Sequence, residues 1–244
     1  MFNGNMPLAK PEKSDLERAL IHYRPFELCL FSDNSAGRVF LRRLINLTIG
    51  INKPHYFICL NTEVKKDLRI WQTCLDSFNG KSFFLPEGWS SSYSLCFYTD
   101  AAQTKGYGLI FGKQWAYGRW PESWTEYSIS FLEFFPAVAG LGIWSHKLKL
   151  KRVLFFTDNE SIVYIINKQT TKDPKLLGLL RTLVLICLKN KILFLARHIR
   201  GTKNILADHL SHLQIERFKA LAPDMNPVPT PLPSHILPEN WDTH

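Results

Sequence analysis

The chain has 244 residues, room for one large domain or two small ones. Hydrophobic residues make up 45% and charged residues 21%, which excludes global disorder, and no apolar run approaches the roughly 20 residues that span a bilayer. Lys and Arg total 30 against 21 Asp and Glu, so the net charge of +9 favours polyanionic partners.

The N-terminus, MFNGNMPLAKPEKSD, has no apolar signal core. Cys29, Cys59, Cys74, Cys96 and Cys187 are far apart and form no CxxC pair. That argues against a disulfide framework or a zinc ribbon. Together these features predict an intracellular protein of the cytoplasm or nucleus with no membrane partner.

Charge and composition divide the chain into zones 1–90, 91–213 and 214–244. They carry 12 basic and 9 acidic, 16 and 8, and 2 and 4 side chains respectively, so the excess lies in the central zone. The first zone reads as helical. Helices are predicted over Ser14–Tyr23, over Asn34–Thr48 and from Thr62. The second has Val39, Leu41, Leu44, Ile45 and Leu47 on one stripe and Arg38, Arg42 and Arg43 on another. That arginine face reads as a solvated surface or as a phosphate contact. The third carries Val64, Leu68, Trp71, Leu75 and Phe78, and Asn79-Gly80 stops it.

The second zone alternates strands and helices. Strands are predicted at Ser94–Thr99, Gly106–Phe111 and Trp115–Trp120, with Gly112-Lys113-Gln114 as a hairpin. A helix spans Ile129–Leu148, and a strand spans Lys151–Thr157. Helices at Glu160–Lys168 and Pro174–Lys189, a strand at Ile192–Arg197 and a helix at Asn204–Leu213 complete the zone. The fold class is α/β: a mixed five-stranded sheet, three strands antiparallel and then two parallel, flanked by helices. In zone 214–244, five prolines in NPVPTPLPSHILPENWDTH predict an extended tail outside the core.

Two strands end alike: LCFYTDAA reaches Asp100 and VLFFTDNE reaches Asp158. An aspartate at a strand end also serves as a turn former or helix cap, but the repetition favours a site. Side by side and parallel, the two carboxylates would leave the sheet at one edge and repel each other unless a hard divalent cation lies between them. Glu133 lies in an apolar helix, where Ser130 and Glu133 fit a capping box and Pro136 should distort the first turns. Asp208 follows His198 and Gly201 in HIRGTKNILADHL, one turn into a helix begun at Asn204.

These residues together resemble a ribonuclease H domain. The resemblance implies an Asp-Glu-Asp-Asp tetrad of Asp100, Glu133, Asp158 and Asp208, with His198 as a loop histidine. The run from His198 to Asp208 is similar to the HxxGxxNxxAD ending of retroelement ribonuclease H domains. GRVFLRRLINLT (37–48), GYGLIFG (106–112), FTDNESIVYIIN (156–167), LLRTLVLICL (179–188) and LSHLQIERFKALAPD (210–224) resemble the C-terminal part of DIRS-type retrotransposon reverse transcriptases. Zone 1–90 then resembles a thumb or connection segment, and 91–213 the ribonuclease H. That family usually reads LSR where this chain has Leu210-Ser211-His212, a departure expected to leave the tetrad untouched. No YxDD-like run marks a polymerase palm, so DNA synthesis is not predicted for this chain.

The resemblance implies a metal-dependent endoribonuclease that cleaves the RNA strand of RNA–DNA hybrids with two Mg²⁺ ions, Mn²⁺ substituting. Asp100 would bridge both ions, Asp208 would bind the nucleophile-side ion, and Glu133 and Asp158 the leaving-group ion. His198 would assist proton transfer or product release. A reverse-transcriptase polymerase domain, in cis or in trans, is the implied protein partner. Lys147, Lys149, Lys151 and Arg152, read either as a solvated turn or as phosphate contacts near the Asp158 strand, join Arg200 and Lys203 as the candidate nucleic-acid surface. The short link from Lys168 to Lys175 leaves no room for an extra basic helix. Two rival readings are a catalytically silent nucleic-acid-binding remnant and another nuclease or integrase on the same fold.

Overall fold

The computed structural model describes residues 38–49, 60–76 and 96–237. They belong to two compact units, Met1–Ser77 and Phe78–His244. The helix predicted at Ser14–Tyr23, the start predicted at Asn34 and the stop at Asn79-Gly80 lie outside the described residues.

In the first unit, α1 (Arg38–Thr48) buries Val39, Phe40 and Leu41, while Ile45, predicted on the apolar stripe, is exposed. Helix α2 (Thr62–Asp76) starts where Asn61 Oδ1 accepts the Val64 N–H at 2.9 Å. It buries Val64, Trp71 and Asp67. Within the arginine face, Arg43 ion-pairs with Glu63 at 2.7 Å and with the buried Asp67 at 3.7 Å. A buried carboxylate needs such a cation, and the pair ties α1 to α2.

The second unit is built on one five-stranded sheet in the order β3-β2-β1-β4-β5. Its strands are β1 (Cys96–Ala102), β2 (Gly106–Phe111), β3 (Gln114–Arg119), β4 (Arg152–Thr157) and β5 (Leu193–His198). The β1–β2 and β2–β3 pairs are antiparallel, and β1–β4 and β4–β5 are parallel, as the order of elements predicts. Register pairs Phe111 with Gln114, so Gly112 and Lys113 alone form the β2–β3 turn and Gln114 opens the next strand.

Side chains alternate across this sheet. Phe97, Leu109, Phe111 and Phe155 face α3 (Ile129–Trp144), where Phe97 contacts Trp144 and Phe155. Helix α3 is apolar on nearly every side because it also packs against α5 (Pro174–Asn190). Its N-cap is Ser128, whose side chain accepts from Phe131, so the capping box predicted at Ser130 and Glu133 does not form. The helix runs unbroken through Pro136 to Trp144. Burial on nearly all sides holds it together despite the lost hydrogen bond. Helix α4 (Glu160–Lys168) packs against β5 and β4.

Tyr98, Ile110 and Trp115 point to the other face. There they meet α6 (Ile205–Ser211) and α7 (Ile215–Leu221) through Ala207, Leu210 and Phe218. The segment after Leu213 is therefore not the extended tail outside the core that its prolines predict. Phe218 is fully buried against Trp115, with ring centroids 4.8 Å apart. Farther on, Ile236 is buried beside Gly142 of α3. Prolines remove donors only at their own positions. Asn226 N–H donates to Lys113 O at 2.9 Å, and Thr230 N–H to Trp115 O at 2.7 Å. The Trp115 indole N–H returns a bond to Asn226 O at 2.7 Å, so this strap satisfies the outer edge of β3. No helix among the described residues is long and apolar enough to cross a membrane.

Candidate metal centre

Parallel pairing of β1 with β4 runs Cys96 with Leu154 through Tyr98 with Phe156. The same offset brings Asp100 level with Asp158, on strands that neighbour at roughly 4.8 Å. Asp100 lies inside β1, which continues to Ala102 and pairs Asp100 with Gly108 of β2, rather than at the strand end. Asp158 follows the last residue of β4. It faces Gly201 so closely that a Cβ there would sit 3.3 Å from Asp158 Oδ2.

Asp100 is clamped from the α6 side. Ser211 Oγ donates to its Oδ2 at 2.5 Å, and Asn204 Nδ2 reaches its Oδ1 at 3.5 Å and Thr99 O at 3.0 Å. Asn204 precedes α6 but its side chain makes no cap bond, because it turns inward to this anchor. Burial pushes the Asp100 carboxyl up to about 6. The Ser211 bond opposes that shift, the charges of Asp158 and Asp208 add to it, and His212 lowers it.

Glu133 reaches the same edge from the opposite face of the sheet, from the first turns of α3. Burial, then the charges of Asp158 and Asp100, push it up to about 7. The Asn159 side chain draws this carboxyl partly back down, and its Oδ1 accepts from Ile162 N at 3.1 Å to cap α4. Glu133 Oε2 is buried without a hydrogen-bond partner among the described residues. An orphaned carboxylate oxygen beside other carboxylates is a donor suited to a hard cation.

The group whose ligand atoms all lie within 4.8 Å of one another is Asp100, Asp208 and His212. His212 Nδ1 stands 3.4 Å from Asp208 Oδ1. The departure from LSR, which lies at His212 alone, therefore does touch the acids, because Asp208 and His212 are four residues apart and share a helix face. That spacing was the signal in the sequence. Glu133 and Asp158 join the cluster through charge but do not belong to that ligand-distance group.

His198 ends β5 opposite Thr157 and is exposed. Arg200 and Lys203 are exposed in the loop around Gly201, so they border the carboxylate edge. Lys105 and Arg119, which the sequence pattern does not single out, lie at this edge too, beside Gly106. Lys147, Lys149, Lys151 and Arg152 do not. β4 starts at Arg152 and carries Asp158 away from them by roughly 20 Å at about 3.3 Å per residue. Lys147 Nζ instead donates to Gln114 Oε1 at 3.0 Å, at the opposite edge of the sheet. Their nearness to Asp158 in sequence is undone by an extended strand.

No protein-family model and no curated protein matches the chain. Among solved structures, the N-terminal ribonuclease H domain of rv2228c from Mycobacterium tuberculosis, determined as a fusion with maltose-binding protein, is similar at 17% identity. The likeness covers 52% of this chain and 96% of that one, with a TM-score of 0.37. What defines the fold of this chain is its own sheet: three antiparallel strands followed by two parallel ones, with acids gathered at the edge where β1 and β4 end.

Proposed function

We propose that this chain is a divalent-metal-dependent nuclease that hydrolyses the RNA strand of an RNA–DNA hybrid. The observation that carries the reading is the convergence of Asp100, Glu133, Asp158 and Asp208. They come from two parallel strands and from helices on opposite faces, and two of their carboxyls are pushed up by burial and mutual charge. Asp100 with Asp208 would hold one Mg²⁺, and Asp100 with Glu133 and Asp158 a second. Bound there, the ions supply charge stabilisation to the attacking water and the departing 3′ oxygen of an in-line displacement.

The chain's own residues do the rest. Ser211 and Asn204 fix the Asp100 carboxylate so that its oxygens need no reorganisation. Asn159, at the cap of α4, favours the charged form of Glu133. Arg200 and Lys203 meet backbone phosphates flanking the scissile bond. His198, exposed at the end of β5, takes or returns a proton at the reacting phosphate. RNA is selected by its 2′-hydroxyls and by hybrid shape rather than by base sequence.

The run from His198 to Asp208 supports a retroelement origin, because each of its residue types has work to do. Gly201 admits Asp158, Asn204 anchors Asp100, the fully buried Ala207 packs against Gly108, and Asp208 supplies a ligand. In that reading the nuclease is the C-terminal part of a DIRS-type reverse transcriptase. Residues 1–90 form a thumb or connection segment, and a polymerase domain acts in cis or in trans.

The test is cleavage of a labelled hybrid in Mg²⁺ or Mn²⁺ by the full chain and by Asp158→Asn. The expected result is cut RNA only with the unaltered chain. Equal persistence of intact RNA in both samples would mark a silent binding module, and preferential cutting of duplex DNA would mark a different nuclease.

A further inference from the structure

We propose that His212 is a third protein ligand to the cation held by Asp100 and Asp208, and that its imidazole makes this position favour late first-row transition ions over Mg²⁺. The inference rests on the metal-dependent reading above and adds to it a nitrogen donor that an all-carboxylate site lacks.

The geometry points this way at three levels. Asp208 and His212 are four residues apart, so the end of α6 presents both to the sheet edge. Their ligand atoms and one from Asp100 all lie within 4.8 Å of one another. Donors around one ion at roughly 2.1 Å stand about 3–4 Å apart, so small side-chain rotations close the set. Asn204, 2% exposed, touches Asp100 through Nδ2 while its Oδ1 has no hydrogen-bond partner. That leaves another neutral oxygen donor in the same pocket.

Ligand chemistry then decides which ion is preferred. Mg²⁺ takes oxygen donors and keeps its waters, whereas imidazole nitrogen binds Co²⁺, Ni²⁺ and Zn²⁺ far better. Asp100 enters this site already oriented by Ser211. Asp208 and the imidazole ride on one short helix, so these two donors are set together against Asp100 of β1 by the seating of α6.

One competing role lies in the same contacts. His212 Nδ1 is also 3.1 Å from Asp208 O and 3.2 Å from Ser211 Oγ, so the ring is placed to cap the last turn of α6. His212→Asn separates the two roles. An asparagine amide keeps a polar atom near the Nδ1 position for the cap but removes the imidazole. The side chain is 36% exposed, so the change opens no core cavity.

The experiment titrates the full chain and His212→Asn with Co²⁺ and with Mg²⁺. It reads affinity by calorimetry and Co²⁺ coordination by visible absorption, with thermal unfolding in the absence of metal as the check on folding. Co²⁺ should bind the unaltered chain at least about tenfold more tightly than Mg²⁺. His212→Asn should weaken Co²⁺ by about tenfold or more, change its absorption band and move Mg²⁺ affinity by less than about threefold. Equal Co²⁺ affinity and an unchanged band in a folded variant would overturn the proposal and leave His212 as a cap. Hybrid cleavage in Mg²⁺ by the unaltered chain keeps the two readings apart. Cleavage with equal Co²⁺ affinities removes only His212 from the ligand set. An inert chain whose Co²⁺ band disappears in the variant keeps the ligand and removes the nuclease.

Discussion

Gly108 faces Asp100 directly across the β1–β2 ladder, and that glycine is where α6 lies against the sheet. A Cβ at Gly108 would meet Leu210, stand 2.5 Å from Ala207 O and 2.9 Å from Ser211 N. Two of those contacts are helix backbone, which cannot yield as a flexible side chain would. The bare backbone opposite Asp100 is thus what lets the helix carrying Asp208, Ser211 and His212 come close enough to build the site.

Gly108→Ala should therefore lift α6. Overpacking of this kind costs about 1–3 kcal/mol, to be read by chemical denaturation. Divalent-cation affinity should fall with it, because the Ser211–Asp100 bond and the Asp208 position depend on the same seating. Unchanged affinity in the variant would mean that α6 delivers its ligands some other way.

The raised carboxyls set a pH dependence with a definite sign. Asp100 goes from an ordinary 3.8 up to about 6, and Glu133 from 4.5 up to about 7. Between each pair of values the folded chain keeps a proton that the unfolded chain has released, so stability falls as pH rises through that window. Metal-free protein should lose thermal stability from about pH 4 to pH 7, and Asp100→Asn or Glu133→Gln should flatten the slope. A divalent cation should reverse the trend, since it binds the deprotonated forms. The check is melting temperature against pH, with and without Mg²⁺; identical slopes in all three proteins would contradict the assigned crowding.

Basic residues at the two edges of the sheet should differ in effect. Replacing Arg200 and Lys203 together by alanine should weaken hybrid binding by about tenfold and lower the salt slope by about 2. The pair Lys147 and Lys149, at the far edge, should change it by less than about twofold. Fluorescence anisotropy across a salt series, with Asp158→Asn as the background, measures both. A larger loss from the Lys147 and Lys149 pair would move the substrate path to the opposite edge.

The strap after Leu213 should prove structural. Phe218→Ala removes a fully buried ring packed against Trp115 at a tilt and should cost about 3–5 kcal/mol. Ending the chain after Leu213 should expose the Trp115 indole and shift its fluorescence to the red. A truncated protein as stable as the full chain would contradict the packing.

The strand and helix order and the parallel relation of the two Thr-Asp strands are legible in the residues, whereas the quartet of acids is implied by the family resemblance. Period-two and period-3.6 patterns and repeated local motifs are properties of short stretches of chain. Several features needed the folded molecule. Proline content predicted a free tail because composition says nothing of which partner a stray Phe218 or Ile236 will find. Lys147 to Arg152 do adjoin the strand that leads to Asp158, but at its start, and sequence distance ignores the length of an extended strand. His212 carries no signal of its own in the sequence, because its meaning depends on Asp100, more than a hundred positions away, which α6 meets only across the gap left by Gly108. Which carboxylates exist, and on which elements they sit, follows from local patterns in the chain. Which of them approach one another, and beside which neighbours, is set by the packing of elements, because distances between distant segments are not encoded in any local pattern.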